Sequence, residues 1–232
     1  MKTSRNLLIA ATILFCGTTC VNANAQTASY SDTRHEIGVT VGVGTTTQFI
    51  HAIANFAAIA VEATATTAAT AGAYTGYEYG ESHDLPAFSV EYYYHIDPVI
   101  GIGGYVAYNG TYRDMYFNWR DNNSGEDHSE NFGKAWHHNI SVIPTVKFDW
   151  FSREHFGLYS KAGFGISIMC ETQKDDNSDS KNEKSTYTET SVFPNMELTF
   201  IGFEAGNHNW RGFAEFGFGE QGIYAAGLRY KF

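Results

Sequence analysis

The sequence predicts an all-β fold: eight antiparallel strands closing into an up-and-down transmembrane β-barrel, with a short amphipathic helix in the first long connection. Three observations predict it. Segments along the chain alternate apolar with polar or small residues at period two. The connections between them run long, short, long, short, long, short, and end with a tight turn. The last stretch, Gly222 to Phe232, is itself such a segment, with Tyr224, Ala226, Leu228, Tyr230 and Phe232 on one face and Ala225, Gly227, Arg229 and Lys231 on the other.

Residues 1–25 read as a secretory signal peptide. Lys2 and Arg5 form a positive start, Leu7 to Phe15 an apolar run weakly extended to Val21, and Ala23-Asn24-Ala25 a small-residue cleavage site before Gln26. The apolar run falls short of the ~20 residues that a membrane-spanning helix needs. A lipid-modified Cys20 would call for Leu three residues earlier and a small residue just before it; Gly17 and Thr19 stand there. Residues 26–232 are then one domain. The net charge is −10, and losing Lys2 and Arg5 makes it two units more negative, which argues against a nucleic-acid partner. Cys16 and Cys20 leave with the leader, so Cys170 stands alone with no internal disulfide and is expected to be buried or lipid-facing. There are 17 Phe, 15 Tyr and 23 Gly but only 4 Pro, and no continuous apolar span follows the leader. A membrane-exposed fold of that kind must satisfy its backbone between strands, as a closed barrel does.

After a polar lead-in to Arg34, the first strand is His35 to Gly44, with Ile37, Val39, Val41 and Val43 opposite Glu36 and small residues. Thr45 to His83 is a long connection. Within it Phe49, Ile53, Phe56 and Ala60 share a helical face over Gln48 to Val61, with Thr46 or Thr47 as cap, and the helix is expected on the rim or over the mouth. A second strand, Leu85 to Ile96, turns at Asp97-Pro98 into a third, Val99 to Asn109. Arg113 to Trp136 reads as a polar loop. The fourth strand, His138 to Trp150, contains Pro144, which suggests a bulge or local edge. Ser152 to His155 turns into the fifth, Phe156 to Met169, and Lys174 to Ser185 is a charged loop. The sixth runs from about Tyr187 to Glu204, the seventh from Trp210 to Phe218, and Gly219 to Gly222 turns into the last.

One face of these strands is Ile, Val, Leu, Phe, Tyr and Ala, about right for an apolar band crossed by tilted strands of ~9–11 residues. Aromatics gather at the strand ends, Tyr94, Trp150, Phe156, Trp210, Tyr230 and Phe232 at one, Tyr108, Trp136, Phe218 and Tyr224 at the other. The opposite face carries Glu36, Glu91, Lys147, Asp149, Lys161, Glu197, Arg211, Glu215, Arg229 and Lys231, five acids and five bases. Inside an eight-stranded barrel, just wide enough to be filled by side chains, these are expected to pair and plug the lumen. A soluble barrel or sandwich would invert the two faces.

The ending Gly227-Leu228-Arg229-Tyr230-Lys231-Phe232 resembles the C-terminal assembly signal of bacterial outer-membrane barrels, in which a Gly precedes two alternate aromatics and Phe is last. Ala225 departs from the polar residue that the signal prefers two before the Gly. With the seven preceding strands, the mature chain resembles small outer-membrane β-barrel domain proteins of the porin-like superfamily, OmpA/OmpX-type or OmpW-like. The resemblance implies a Gram-negative cell outer membrane as location, its lipids as surroundings, and insertion by the barrel assembly machinery through Gly227, Tyr230 and Phe232. A monomer is expected. Such barrels include anchors, adhesins, conduits and lipid A enzymes, so no one activity follows.

Residue chemistry adds little. Asp175-x-Asn177-x-Asp179 starts like a calcium loop, but Ser180 and Thr186 replace its required Gly and Glu. Glu126-x-His128-x-Glu130 offers three ligand types on one strand face within a solvated loop. Only one of His137 and His138 can face inward, and no carboxylate–His–Ser set lies at strand spacing. No catalytic residue, cofactor or metal is expected. The expected role is surface interaction or membrane structure through the long loops. The alternative is a narrow conduit or binding barrel for small molecules, entered past the 48–61 helix.

Overall fold

The structure, a computed structural model, describes residues 33–50, 52–53, 75–120, 124–175 and 186–232. The leader, most of the 48–61 helix and the 176–185 stretch lie outside them. The described chain is all-β and antiparallel. Its strands are β1 (His35–Val43), β2 (Thr75–His95), β3 (Ile100–Arg120), β4 (Asp127–Ser152), β5 (Phe156–Asp175), β6 (Thr186–Gly206), β7 (Trp210–Phe218) and β8 (Tyr224–Lys231). Each pairs with its sequence neighbours, and β8 pairs with β1 from Glu36↔Lys231 to Val43↔Tyr224, so the sheet closes on itself.

Closure buries alternate residues along β1 and β7 and along the turn-side parts of the longer strands. On β1 and β7 the alternation is complete, with Glu36 and Arg211 inside and Ile37, Val39, Val41 and Trp210 exposed. The apolar set is the outer one: Phe88, Val90, Ile102, Val106, Ile140, Val142, Phe164, Ile166, Leu198 and Leu228 are all exposed. What the ring encloses is polar. Arg229, Lys147, Lys161, Glu36, Glu91 and Glu204 are among its most deeply buried side chains, beside Tyr93, Tyr159 and Ile143.

The strands are unequal. β1, β7 and β8 have 9, 9 and 8 residues, whereas β2 to β6 have 20 to 26. Most of Arg113 to Trp136, expected as loop, is therefore strand, as are Thr75 to His83, Cys170 to Asp175 and Asp127 to His137. Period-two hydrophobicity marks a strand only where one of its faces is apolar. Beyond that band polar and aromatic residues mix on both faces, and main-chain pairing continues without the signal, as in Thr111↔His137 and Trp119↔His128. Pro144 makes no bulge. The β4–β5 register is the same on both sides of it, at Val142↔Ile166 and Thr145↔Gly163.

Bulges do occur elsewhere, and one resets a whole face. β6 carries an extra residue relative to both β5 and β7, between Thr199 and Gly202. Phe200 and Ile201 are consequently both exposed, and the inward set switches from Asn195, Glu197 and Thr199 to Gly202 and Glu204. Gly202 is then pressed against Tyr159, whose ring a Cβ would penetrate.

Gly202→Val should lower stability by about 1–3 kcal/mol by overpacking. Gly212→Ala, whose Cβ would have only Ala205 O at 3.9 Å, should leave the denaturant midpoint unchanged. Urea titrations followed by tryptophan fluorescence compare the two.

Candidate functional site

The interior is layered. The layer nearest the short turns is an ion network centred on Arg229 and Glu204. Arg229 Nε lies 2.7 Å from Glu36 Oε1, Nη2 2.5 Å from Glu91 Oε1 and Nη1 2.9 Å from Glu204 Oε2. Glu204 in turn faces Arg211 Nη1 at 2.9 Å, Lys231 Nζ at 2.6 Å and Lys147 Nζ at 3.5 Å. Lys147 also reaches Glu36 at 2.9 Å and Asp149 at 3.5 Å, and His95 sits between Glu36 and Asp149. Lys161 lies 2.7 Å from Glu215 and 3.1 Å from Glu91. Two aromatic rings complete the packing. Tyr159 donates its hydroxyl to Glu215 and carries Lys147 and Arg229 over its ring, while Phe213 underlies the Arg229 guanidinium at 4.1 Å.

Of the ten charged residues expected inside, nine are buried and Lys231 is half-buried. The structure brings nine of them into one network and leaves Glu197 outside it. Glu197 accepts from Tyr105 Oη at 2.7 Å and Thr199 Oγ1 at 3.3 Å, and has no cation within ion-pair distance among the described residues. Glu204, the acid with four cationic partners, was not in the expected set. Simple parity from Glu197 puts it outside, and only the bulge brings it in. Glu220 and Gln221 were also missed, because they belong to a turn.

That turn, 219–223, folds into the ring rather than away from it: Glu220 and Gln221 are 0% and 1% exposed. Ile223 N donates to Val43 O at 2.9 Å and Gly44 O at 3.1 Å, which pins the turn across the β1–β8 seam. Gly42 and Gly222 permit this. A Cβ on Gly42 would run into the Gln221 carbonyl, and one on Gly222, at φ 110, would meet Val43 N and O at 2.7 Å. Gln221 donates to Ser89 Oγ at 2.9 Å and Glu91 Oε2 at 3.2 Å, and accepts from Lys161 Nζ at 2.6 Å.

Glu220 is held differently. Its Oε1 accepts from Thr47 N at 3.0 Å, Thr47 Oγ1 at 2.6 Å and Asn195 Nδ2 at 2.8 Å. Its Oε2 accepts from Asn109 Nδ2 at 2.7 Å and Asn139 Nδ2 at 2.9 Å. Thr47 is in place because the helix following β1 starts inside the ring. Thr45, not Thr46 or Thr47, caps it, in a reciprocal box: Gln48 N donates to Thr45 Oγ1 at 3.2 Å and Thr45 N to Gln48 Oε1 at 3.0 Å. Thr45 to Gln48 are buried, whereas Phe49, Ile50 and Ile53 are exposed. Beside them Val43, Gly44, Gln48, Phe49, Leu85, Pro86, Asp84 and Ile223 line a groove of about 350 Å³.

The expected assembly residues sit at the seam. Gly227 leaves room for the Phe213 ring. Tyr230 packs on Trp210 and Phe232 at 4.9 and 5.8 Å, and Phe232 stacks on His35 at 5.4 Å while their backbones exchange two hydrogen bonds. His128 is exposed and stacked on Trp119, Asn177 and Asp179 lie outside the described residues, and no group of three metal-ligating side chains occurs among those described. Of the histidine pair, His137 is buried, accepting from Arg113 Nη2 at 3.4 Å, and His138 shares a hydrogen bond with Tyr108 Oη on the outer face. Cys170 is a free, half-buried thiol 3.6 Å from Thr190 Oγ1.

Glu204→Ala leaves Arg229, Arg211 and Lys231 short of a counter-charge and should cost about 3–5 kcal/mol. The exposed Glu126→Ala should stay within about 0.5 kcal/mol of wild type. Equilibrium unfolding measures both. In comparisons with known proteins the chain matches no family model and no curated protein.

Proposed function

We propose that the protein is an integral outer-membrane β-barrel whose interior is plugged and whose outer connections act in surface interaction or membrane structure. One observation carries the reading: the ring is inverted relative to a soluble barrel. Ile, Val, Phe and Leu cover its outside, while Arg229, Lys147, Lys161, Glu36, Glu91 and Glu204 fill its inside. In water that arrangement would expose a continuous apolar belt and desolvate many ions at once, each unfavourable. In a bilayer the belt meets lipid, and the closed ladder leaves no unpaired edge around it. The exposed aromatics Tyr92, Trp150, Phe156 and Trp210 near one end, and Tyr108 and Tyr224 near the other, support the same placement. The filled ion layer supports a plug over a diffusion path.

A second reading, a barrel that binds small apolar molecules, is favoured by the groove beneath Phe49. It is lined by Val43 and Gly44 at the end of β1 and by Leu85, Pro86 and Ile223.

Heat-modifiability tests the first reading. Unboiled and boiled samples should run differently on a gel, and trypsin on intact cells should cut at Lys181 or Lys184 while sparing Arg153 in the short turn 153–155. A freely soluble protein with no gel shift would overturn the membrane assignment.

A further inference from the structure

Glu220 is a carboxylate enclosed without a cation. Burying such a group unpaired is costly, and the ion layer shows the usual answer, a Lys or Arg against each carboxylate. Around Glu220 there is none within ion-pair distance among the described residues. Five neutral N–H and O–H donors converge instead on its two oxygens. They come from separate places: Thr47 from the helix start, Asn109 from β3, Asn139 from β4 and Asn195 from β6. Asn139 is 2% exposed and turns its amide so that Nδ2 faces Glu220 and Thr47, leaving its own buried Oδ1 with no hydrogen-bond partner. An amide free to choose would not strand its oxygen, so the anion sets its orientation. The donor set is complete without the turn, which contributes only the guest.

We infer that Thr47, Asn109, Asn139 and Asn195 form a receptor for a small monocarboxylate, occupied here in cis by Glu220. Two oxygens in one plane are what the five donors address. With no cation in the shell, a second negative charge would go unbalanced, so the class is a monoanion and not phosphate or sulfate. Gly219 and Gly222 flank Glu220-Gln221, so the guest sits on a short segment with a glycine at each end. This goes beyond the proposed function and does not depend on a membrane.

Chemical rescue tests it. Glu220→Ala empties the receptor and keeps the donors. The variant is refolded from urea into detergent in equal concentrations of sodium chloride, formate, acetate, or chloride plus neutral acetamide, and the folded fraction is read by tryptophan fluorescence. Formate and acetate should raise that fraction several-fold over chloride and acetamide, with saturation. Wild type and Glu220→Gln, whose amide fills the space, should refold alike in all four. Adding Asn109→Ala and Asn195→Ala to Glu220→Ala should abolish the rescue. Equal recovery of Glu220→Ala in acetate and chloride, including no recovery in either, overturns the proposal. So does a rescue that survives loss of the two asparagines.

Discussion

An ion taken out of water has to be met by another charge or by hydrogen-bond donors, and this protein places many such groups inside one narrow ring. Much of the interior follows from that demand. Arg229 can serve Glu36, Glu91 and Glu204 together because a guanidinium offers five donors in a fixed fork. Its planar face is used as well, lying over Tyr159 and Phe213. Gly202 and Gly227 are small so that those two rings can enter. The bulge in β6 sends one more acid inward, and that acid takes up the charge of Arg211 and Lys231.

Charge balance alone does not complete the interior. With Glu204 and Glu220 added, seven acids lie inside among the described residues, against the five expected bases and, further along, Arg113. Two acids are therefore handled by neutral groups: Glu197 by Tyr105 and Thr199, and Glu220 by Thr47 and three asparagines. The second arrangement also has a mechanical effect. β1 and β8 are both short, and their seam joins the two ends of the ring. The turn that carries Glu220 crosses the seam from inside and ties it to β2, β3, β4, β5 and β6 through a few side-chain contacts. On the proposed membrane reading, a seam that opened would present unpaired backbone to lipid, where nothing could satisfy it. An internal clasp at that place opposes such opening.

How much was legible can be judged residue by residue. The strand faces were, because alternation with one apolar side is a one-dimensional signal. Nine of the ten charges assigned to the interior are buried there, and β7 has the limits read from its sequence. The upper parts of β2 to β6 were not legible. Their two faces are alike in polarity, and only hydrogen bonding to a neighbour makes them strands. Glu204 was missed because the alternation was carried on from Glu197 without a break, although the adjacent apolar pair Phe200-Ile201, followed by Phe203, marks the change of phase. Glu220 was hidden by a convention, that turns point to solvent; Gly219 and Gly222 around two polar residues suggested a turn and said nothing about its direction.

The sequence by itself determined which positions share a face, which face is apolar, and that the chain folds as β-strands, because side-chain direction on a strand has period two regardless of what surrounds it. Tertiary structure alone decided which charges meet, and that a turn and a helix start fold inward around one carboxylate. Those are contacts between residues such as Thr47, Asn109, Asn195 and Glu220, far apart along the chain. Their geometry exists only once the ring has closed and the buried ions have settled which partners lie within hydrogen-bond distance.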